Sequence, residues 1–152
     1  MKKPHNHAAT EYHQDAPYWP HDDSRHCLSA WVALVDAPLE RGCMTFIPGQ
    51  QHRQDIRAVD LTDRTDLFDA VGDLTYQPRV TIPVRAGDVT FHNGYTPHTA
   101  NANDTDEVRL AHVVIYVDRD LTYNGNPHVC TDPLDLTVGR PLPDEQFPPL
   151  PR

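Results

Sequence analysis

Near the start of the chain His13 and Asp15 flank Gln14. On an extended strand, side chains two apart point to the same side, so this pair can offer an imidazole and a carboxylate to one metal ion. The pair alone carries little weight. With 10 histidines in an Asp-rich chain, chance supplies roughly one His-x-Asp match at this length. A second match stands at His21-Asp22-Asp23; its neighbours Ser24 and Arg25 have no strand pattern, and it reads as a solvated loop. His5 and His7 alternate at a terminus, where a fortuitous surface metal site is the most they suggest. His92, His112 and His128 read as ordinary strand or loop residues.

The elements that would position such a pair are mostly strands. Leu28–Val35, Cys43–Ile47, Arg79–Val84, Asp88–His92 and Val108–Val117 are rich in β-branched and aromatic residues and bounded by Gly, Pro or Asp. Turn chemistry separates them: Asp36-Ala37-Pro38, Pro48-Gly49, Ala86-Gly87-Asp88 and Asn93-Gly94. Short strands joined this way predict a mainly β sandwich or jelly roll. Thr62–Val71 is the one helical stretch, with Leu67, Phe68 and Val71 on one side and Thr62 or Asp63 as N-cap. Residues 1–130 are expected to form the core, and the proline-rich residues 131–152 an extended or loosely packed tail.

Composition narrows the function classes. The 152 residues fit one core. A net charge of −9, with 13 scattered basic residues against 22 acidic ones, argues against a nucleic-acid or anionic-membrane partner. No run approaches the length of a membrane span, and residues 1–7 lack the apolar run of a signal peptide. Cys27, Cys43 and Cys130 are odd in number and far apart, and read as reduced, mostly buried thiols. A cytoplasmic protein is the default expectation.

Context separates the two His-x-Asp matches. His13-Gln14-Asp15-Ala16-Pro17-Tyr18-Trp19 precedes the strand containing Trp31, then Gly42-Cys43-Met44-Thr45-Phe46-Ile47-Pro48-Gly49-Gln50. Later come Gly87-Asp88-Val89-Thr90-Phe91-His92, His98 and Arg109. In this order and spacing the segments resemble the phytanoyl-CoA dioxygenase family of Fe(II)- and 2-oxoglutarate-dependent oxygenases, over about Thr10 to Tyr116. The resemblance implies a cupin-like double-stranded β-helix with iron held by His13, Asp15 and His98. Such a set leaves three metal positions open for cosubstrate and dioxygen. It further implies that Arg109 grips the distal carboxylate of 2-oxoglutarate through its planar fork, with Trp31 walling the cosubstrate and Thr99 beside it. His52 matches the family's turn histidine and is expected to anchor its loop. Met44 and Phe46 are expected in the core.

By the same resemblance the chain is a hydroxylating dioxygenase of a small organic metabolite or acyl substrate, releasing succinate and CO2. Hydroxylation is favoured because Asp15 fills the position that related halogenases give to a small residue. Relatives carry a long portion before the His-x-Asp strand, which here begins close to Met1, so the chain reads as N-terminally truncated. Two alternatives stand beside the enzyme: a cupin-like metal-binding module without 2-oxoglutarate turnover, and a non-catalytic assembly subunit. A partner chain or a second copy would then complete the open sheet.

Overall fold

The computed structural model describes residues 1–22, 26–53 and 67–151. Among these, six strands follow in order: β1 (Leu28–Ala33), β2 (Met44–Phe46), β3 (Val80–Ile82), β4 (Val89–Asn93), β5 (His98–Ala100) and β6 (Ala111–Tyr116). They form two three-stranded antiparallel sheets, ordered β4-β1-β6 and β3-β2-β5. This is the expected mainly β jelly-roll core. Each expected strand is present, most of them shortened, with β4 shifted one residue to end at Asn93, and β5 is an addition that the loop-like residues around Pro97 had hidden.

The sheets meet over an apolar layer. Alternation along β1 sends Ser29, Trp31 and Ala33 to one side, and the register sets Trp31 opposite Thr90 and Val113. Trp31, Ala33, Met44 and Phe46 pack there with Ile82, Val84 and Ala111, each large apolar side chain contributing about 1.5–3 kcal/mol. Met44 and Phe46 are core residues as expected. A second cluster joins Ile47, Leu67, Val71 and Leu74 beneath Tyr12 and Phe68. Its helix α1 spans Leu67–Ala70; residues 62–66 of the expected helix lie outside the described residues. Cys27 and Cys43 are buried and Cys130 is exposed, all as free thiols.

One pairing outside the named strands matters most. The N-terminal segment runs antiparallel to residues 98–109: His13 bridges His98, Asn6 bridges Asn103 and Lys2 bridges Arg109. Residues 131–151 contain turns but no strand or helix, with Pro141 bridged to Thr122. None of the helices among the described residues is long and apolar enough to cross a membrane.

Candidate metal centre

Backbone pairing brings His13 and His98 together. His13 N donates to His98 O and His98 N to His13 O, both at 3.0 Å, which leaves the ring centroids 4.5 Å apart. The chain then turns at Asp15, which adopts a helical backbone conformation ahead of the 3-10 turn Ala16–Tyr18 with Pro17 near its start. Between the two, Gln14 is buried on the other side and donates to Tyr95 O at 2.6 Å. The turn is held by Ala16 N donating to Gly94 O. A Cβ on Gly94 would meet the Trp19 ring at 2.5 Å, so only glycine lets these two segments approach.

Both imidazoles are oriented by their own chain. His13 Nδ1 lies 2.7 Å from Glu11 O and His98 Nδ1 lies 3.0 Å from Thr96 O. A carbonyl only accepts, so Nδ1 carries the proton and Nε2 presents its lone pair. Those Nε2 atoms stand 3.5 and 3.7 Å from Asp15 Oδ1, and one ligand atom from each of the three residues lies within 4.8 Å of the others. Three acceptor atoms facing one point call for a cation, either a metal or a proton on His13. Two neutral imidazoles and one carboxylate suit Fe(II) with open positions.

Charge follows from burial and neighbours. Burial disfavours the charged form of His13, but the Asp15 carboxylate and the Glu11 carbonyl outweigh it and raise its pKa. Burial also works against the Asp15 carboxylate, yet hydrogen bonding and charge from His13, His92 and His98 hold it far below the usual range. Burial pushes His98 down to about 4 against the pull of Asp15, so it stays neutral and available as a ligand.

Arg109 ends the same pairing that begins at His13. Its guanidinium carbon lies 5.2 Å from the centroid of the Trp31 ring. The residue is 7% exposed, and among the described residues neither Nε nor Nη1 has a hydrogen-bond partner. Burial lowers its pKa. Beside it, Lys2 donates to the carbonyls of Ala8, Ala100 and Asn101, while burial and the Arg109 charge bring it down to about 8. A buried, unpaired guanidinium with a second cation beside it has the chemistry of an anion subsite.

Of the other expected residues, Thr99 lies on the opposite side of β5 from His98, and its hydroxyl donates to Thr10 O. Ala100 shares the His98 side. His21 is buried rather than solvated: it bridges Tyr123, its Nδ1 lies 2.8 Å from Asp22 O, and its ring packs on Trp19. Residues 23–25 lie outside the described residues. His52 is exposed, with Gln51 Nε2 at 3.4 Å, and residues 54–66 beyond it lie outside the described residues. His5 and His7 pair with Asp106 and Asp104. Sequence reading passed over Lys2 and Ser29 and took His92 for an ordinary strand or loop residue. For the last two the available signal was alternation, since polar residues occupy inward positions of β1 and β4.

Fold and site together define a jelly-roll protein with a buried His-Asp-His set and an unpaired arginine at the far end of the same strand pairing. The phytanoyl-CoA dioxygenase family model matches residues 1–111, and the chain belongs to that family. It is 30% identical over 120 residues to the Mus musculus phytanoyl-CoA dioxygenase domain-containing protein 1, covering 75% of this chain and 41% of the relative. A 2-aminoethylphosphonate dioxygenase from an uncultured bacterium is 28% identical over 109 residues, covering 72% of this chain and 40% of that protein.

Solved structures agree with the fold. SnoK, a non-heme alpha-ketoglutarate-dependent carbocyclase from nogalamycin biosynthesis, superposes with a TM-score of 0.83 at 42% identity, covering 95% of this chain and 57% of SnoK. The epimerase SnoN, in complex with Fe3+, alpha-ketoglutarate and nogalamycin RO, gives 0.74 at 39% identity, over 91% of this chain and 56% of SnoN. The chain thus spans less than half the length of these curated relatives and just over half that of these solved ones.

Proposed function

We propose that this chain carries the metal and cosubstrate centre of an Fe(II)- and 2-oxoglutarate-dependent dioxygenase acting on a small organic molecule. One observation carries the reading: the Nε2 lone pairs of His13 and His98 converge on Asp15 Oδ1. The orphaned guanidinium of Arg109 supports it from the other end of the same pairing. In this reading His13, Asp15 and His98 hold the iron, Arg109 pairs with the distal carboxylate of 2-oxoglutarate, and Trp31 walls the cosubstrate. Thr99 contributes from behind, by fixing β5 to Thr10.

Bound iron and 2-oxoglutarate would supply the oxidising power for C–H cleavage, with release of succinate and CO2. The protein's own part is to orient and to exclude water. Nδ1 bonds to Glu11 and Thr96 keep both rings aimed, and the buried Phe46 ring covers His98 at 5.8 Å. Hydroxylation is the favoured outcome, because a carboxylate occupies the third ligand position. Ring closure or epimerisation is a second reading, favoured by the identity with SnoK and SnoN.

The test is anaerobic Fe(II) loading followed by 2-oxoglutarate. A metal-to-ligand charge-transfer band, then oxygen-dependent succinate release that His13→Ala abolishes, is expected. Succinate release unchanged in that variant would remove the assignment. With a turned-over substrate, gain of one oxygen, loss of two hydrogens or unchanged mass separates hydroxylation from ring closure and epimerisation.

A further inference from the structure

Asp15 uses its two oxygens differently. Oδ1 is the one approached by His13 Nε2 and His98 Nε2. Oδ2 instead accepts from Ser29 Oγ at 3.2 Å and lies 3.5 Å from His92 Nε2. Ser29 and His92 are directly opposed in the β1–β4 register, so their side chains rise together on the inner side of the sheet. Ser29 is fully buried and His92 is nearly so, yet among the described residues neither ring nitrogen of His92 makes an ordinary hydrogen bond, the approach of Nε2 to Asp15 Oδ2 being a longer electrostatic contact. The rings of Phe46 and His98 enclose it, with centroids 5.2 and 4.7 Å away. A buried imidazole without an ordinary hydrogen bond is a standing cost, and its position against a ligand carboxylate gives that cost a purpose.

The chemistry of the centre supplies that purpose. A carboxylate can bind a metal through one oxygen or through both. With two imidazoles and one carboxylate oxygen bound, three positions of an octahedral metal stay open; a second carboxylate oxygen would consume one of them. A keto acid needs two and dioxygen the third. We propose that Ser29 and His92 are positioning residues that hold Asp15 Oδ2 off the metal, by two hydrogen bonds, so that Asp15 binds through Oδ1 alone and the keto acid keeps its two positions. This rests on the metal-centre reading above. His92 donates to Oδ2 through Nε2, which stands 3.5 Å from it.

The full chain is tested anaerobically, measuring Fe(II) affinity by competition with a chelator and 2-oxoglutarate affinity from the charge-transfer band. For His92→Ala, the cosubstrate affinity is expected to fall roughly 10–100-fold, as is typical when a partner of a ligating group is lost, and iron affinity to fall less. His92→Gln, whose amide can donate to Oδ2, recovers most of the loss, whereas His92→Leu, which fills the space without a donor, does not. Ser29→Ala reads the same effect with a smaller change in packing, should His92→Ala fail to fold. Cosubstrate affinity unchanged in the folded alanine variants, or lost equally in Gln and Ala, overturns the proposal while leaving the metal centre standing. Wild-type protein that takes up no Fe(II) sinks the metal centre, and this proposal with it.

Discussion

His13 and His98 exchange both backbone hydrogen bonds at 3.0 Å, so the two imidazoles are set side by side by main-chain pairing rather than by side-chain contacts. The 51° tilt between their rings then follows from the separate Nδ1 anchors on Glu11 and Thr96.

That origin makes the ligands dispensable for folding. His13→Ala and His98→Ala are expected to keep the circular dichroism spectrum and most of the thermal stability. Both should weaken Ni(II) or Fe(II) binding by more than the roughly 10–100-fold typical of losing an outer partner. Isothermal titration with Ni(II) checks this, and wild-type affinity in His98→Ala would contradict the assignment.

Arg109 carries a buried charge whose Nε and Nη1 have no hydrogen-bond partner among the described residues, which costs stability in the free protein. Arg109→Met keeps the contact with Trp31 and removes the charge. Its melting temperature is expected to be equal or higher, with a gain on the order of 1 kcal/mol. Cosubstrate binding, which loses its charge-assisted hydrogen bonds, should weaken by about 2–5 kcal/mol. Thermal melts with and without 2-oxoglutarate separate the two effects; a Met variant that still binds the keto acid normally would refute the role.

Lys2 titrates at about 8 in the folded protein against 10.5 ordinarily. Between those values the folded chain has released a proton that the unfolded chain keeps, so stability rises with pH across that window; below it the buried charge is carried at constant cost. An anion at Arg109 favours the charged lysine. Affinity for 2-oxoglutarate should therefore fall as pH climbs from about 7 to about 9.5, and Lys2→Met should flatten the dependence. A wild-type profile flat over this range would show that Lys2 does not feel the cosubstrate.

Gly94→Ala would drive a methyl group to 2.5 Å from the Trp19 ring and 2.9 Å from Cys27 Sγ. Overpacking of this kind costs about 1–3 kcal/mol. Because Gly94 O receives the Ala16 N–H beside Asp15, metal affinity should fall along with the denaturation midpoint. Urea melts and Ni(II) titration of the same sample check both; a neutral effect on each would mean that the turn gives way freely.

The strands were legible because β-branched runs between Gly, Pro and Asp turns announce them locally. Met44 and Phe46 were expected in the core and are buried there. β5 was not legible: His98–Ala100 is short and follows Pro97, and only its pairing with β2 and with His13 makes it a strand. His21 was misjudged for a similar reason, since its burial depends on Trp19 and on the distant Tyr123. Thr99 was expected beside the cosubstrate by proximity to His98, but a period of two turns it to the opposite side.

By itself the sequence determined the residue types, the order of strands and turns, and the His-x-Asp spacing, all of which are local properties of neighbouring residues. Tertiary structure alone decided which oxygen of Asp15 faces the two ligand histidines and that Ser29 and His92 attend the other one. It also decided that Arg109 is buried beside Lys2, with Nε and Nη1 lacking a hydrogen-bond partner among the described residues. These depend on pairing register between segments far apart in the chain, where a shift of one residue would turn every side chain to the other face.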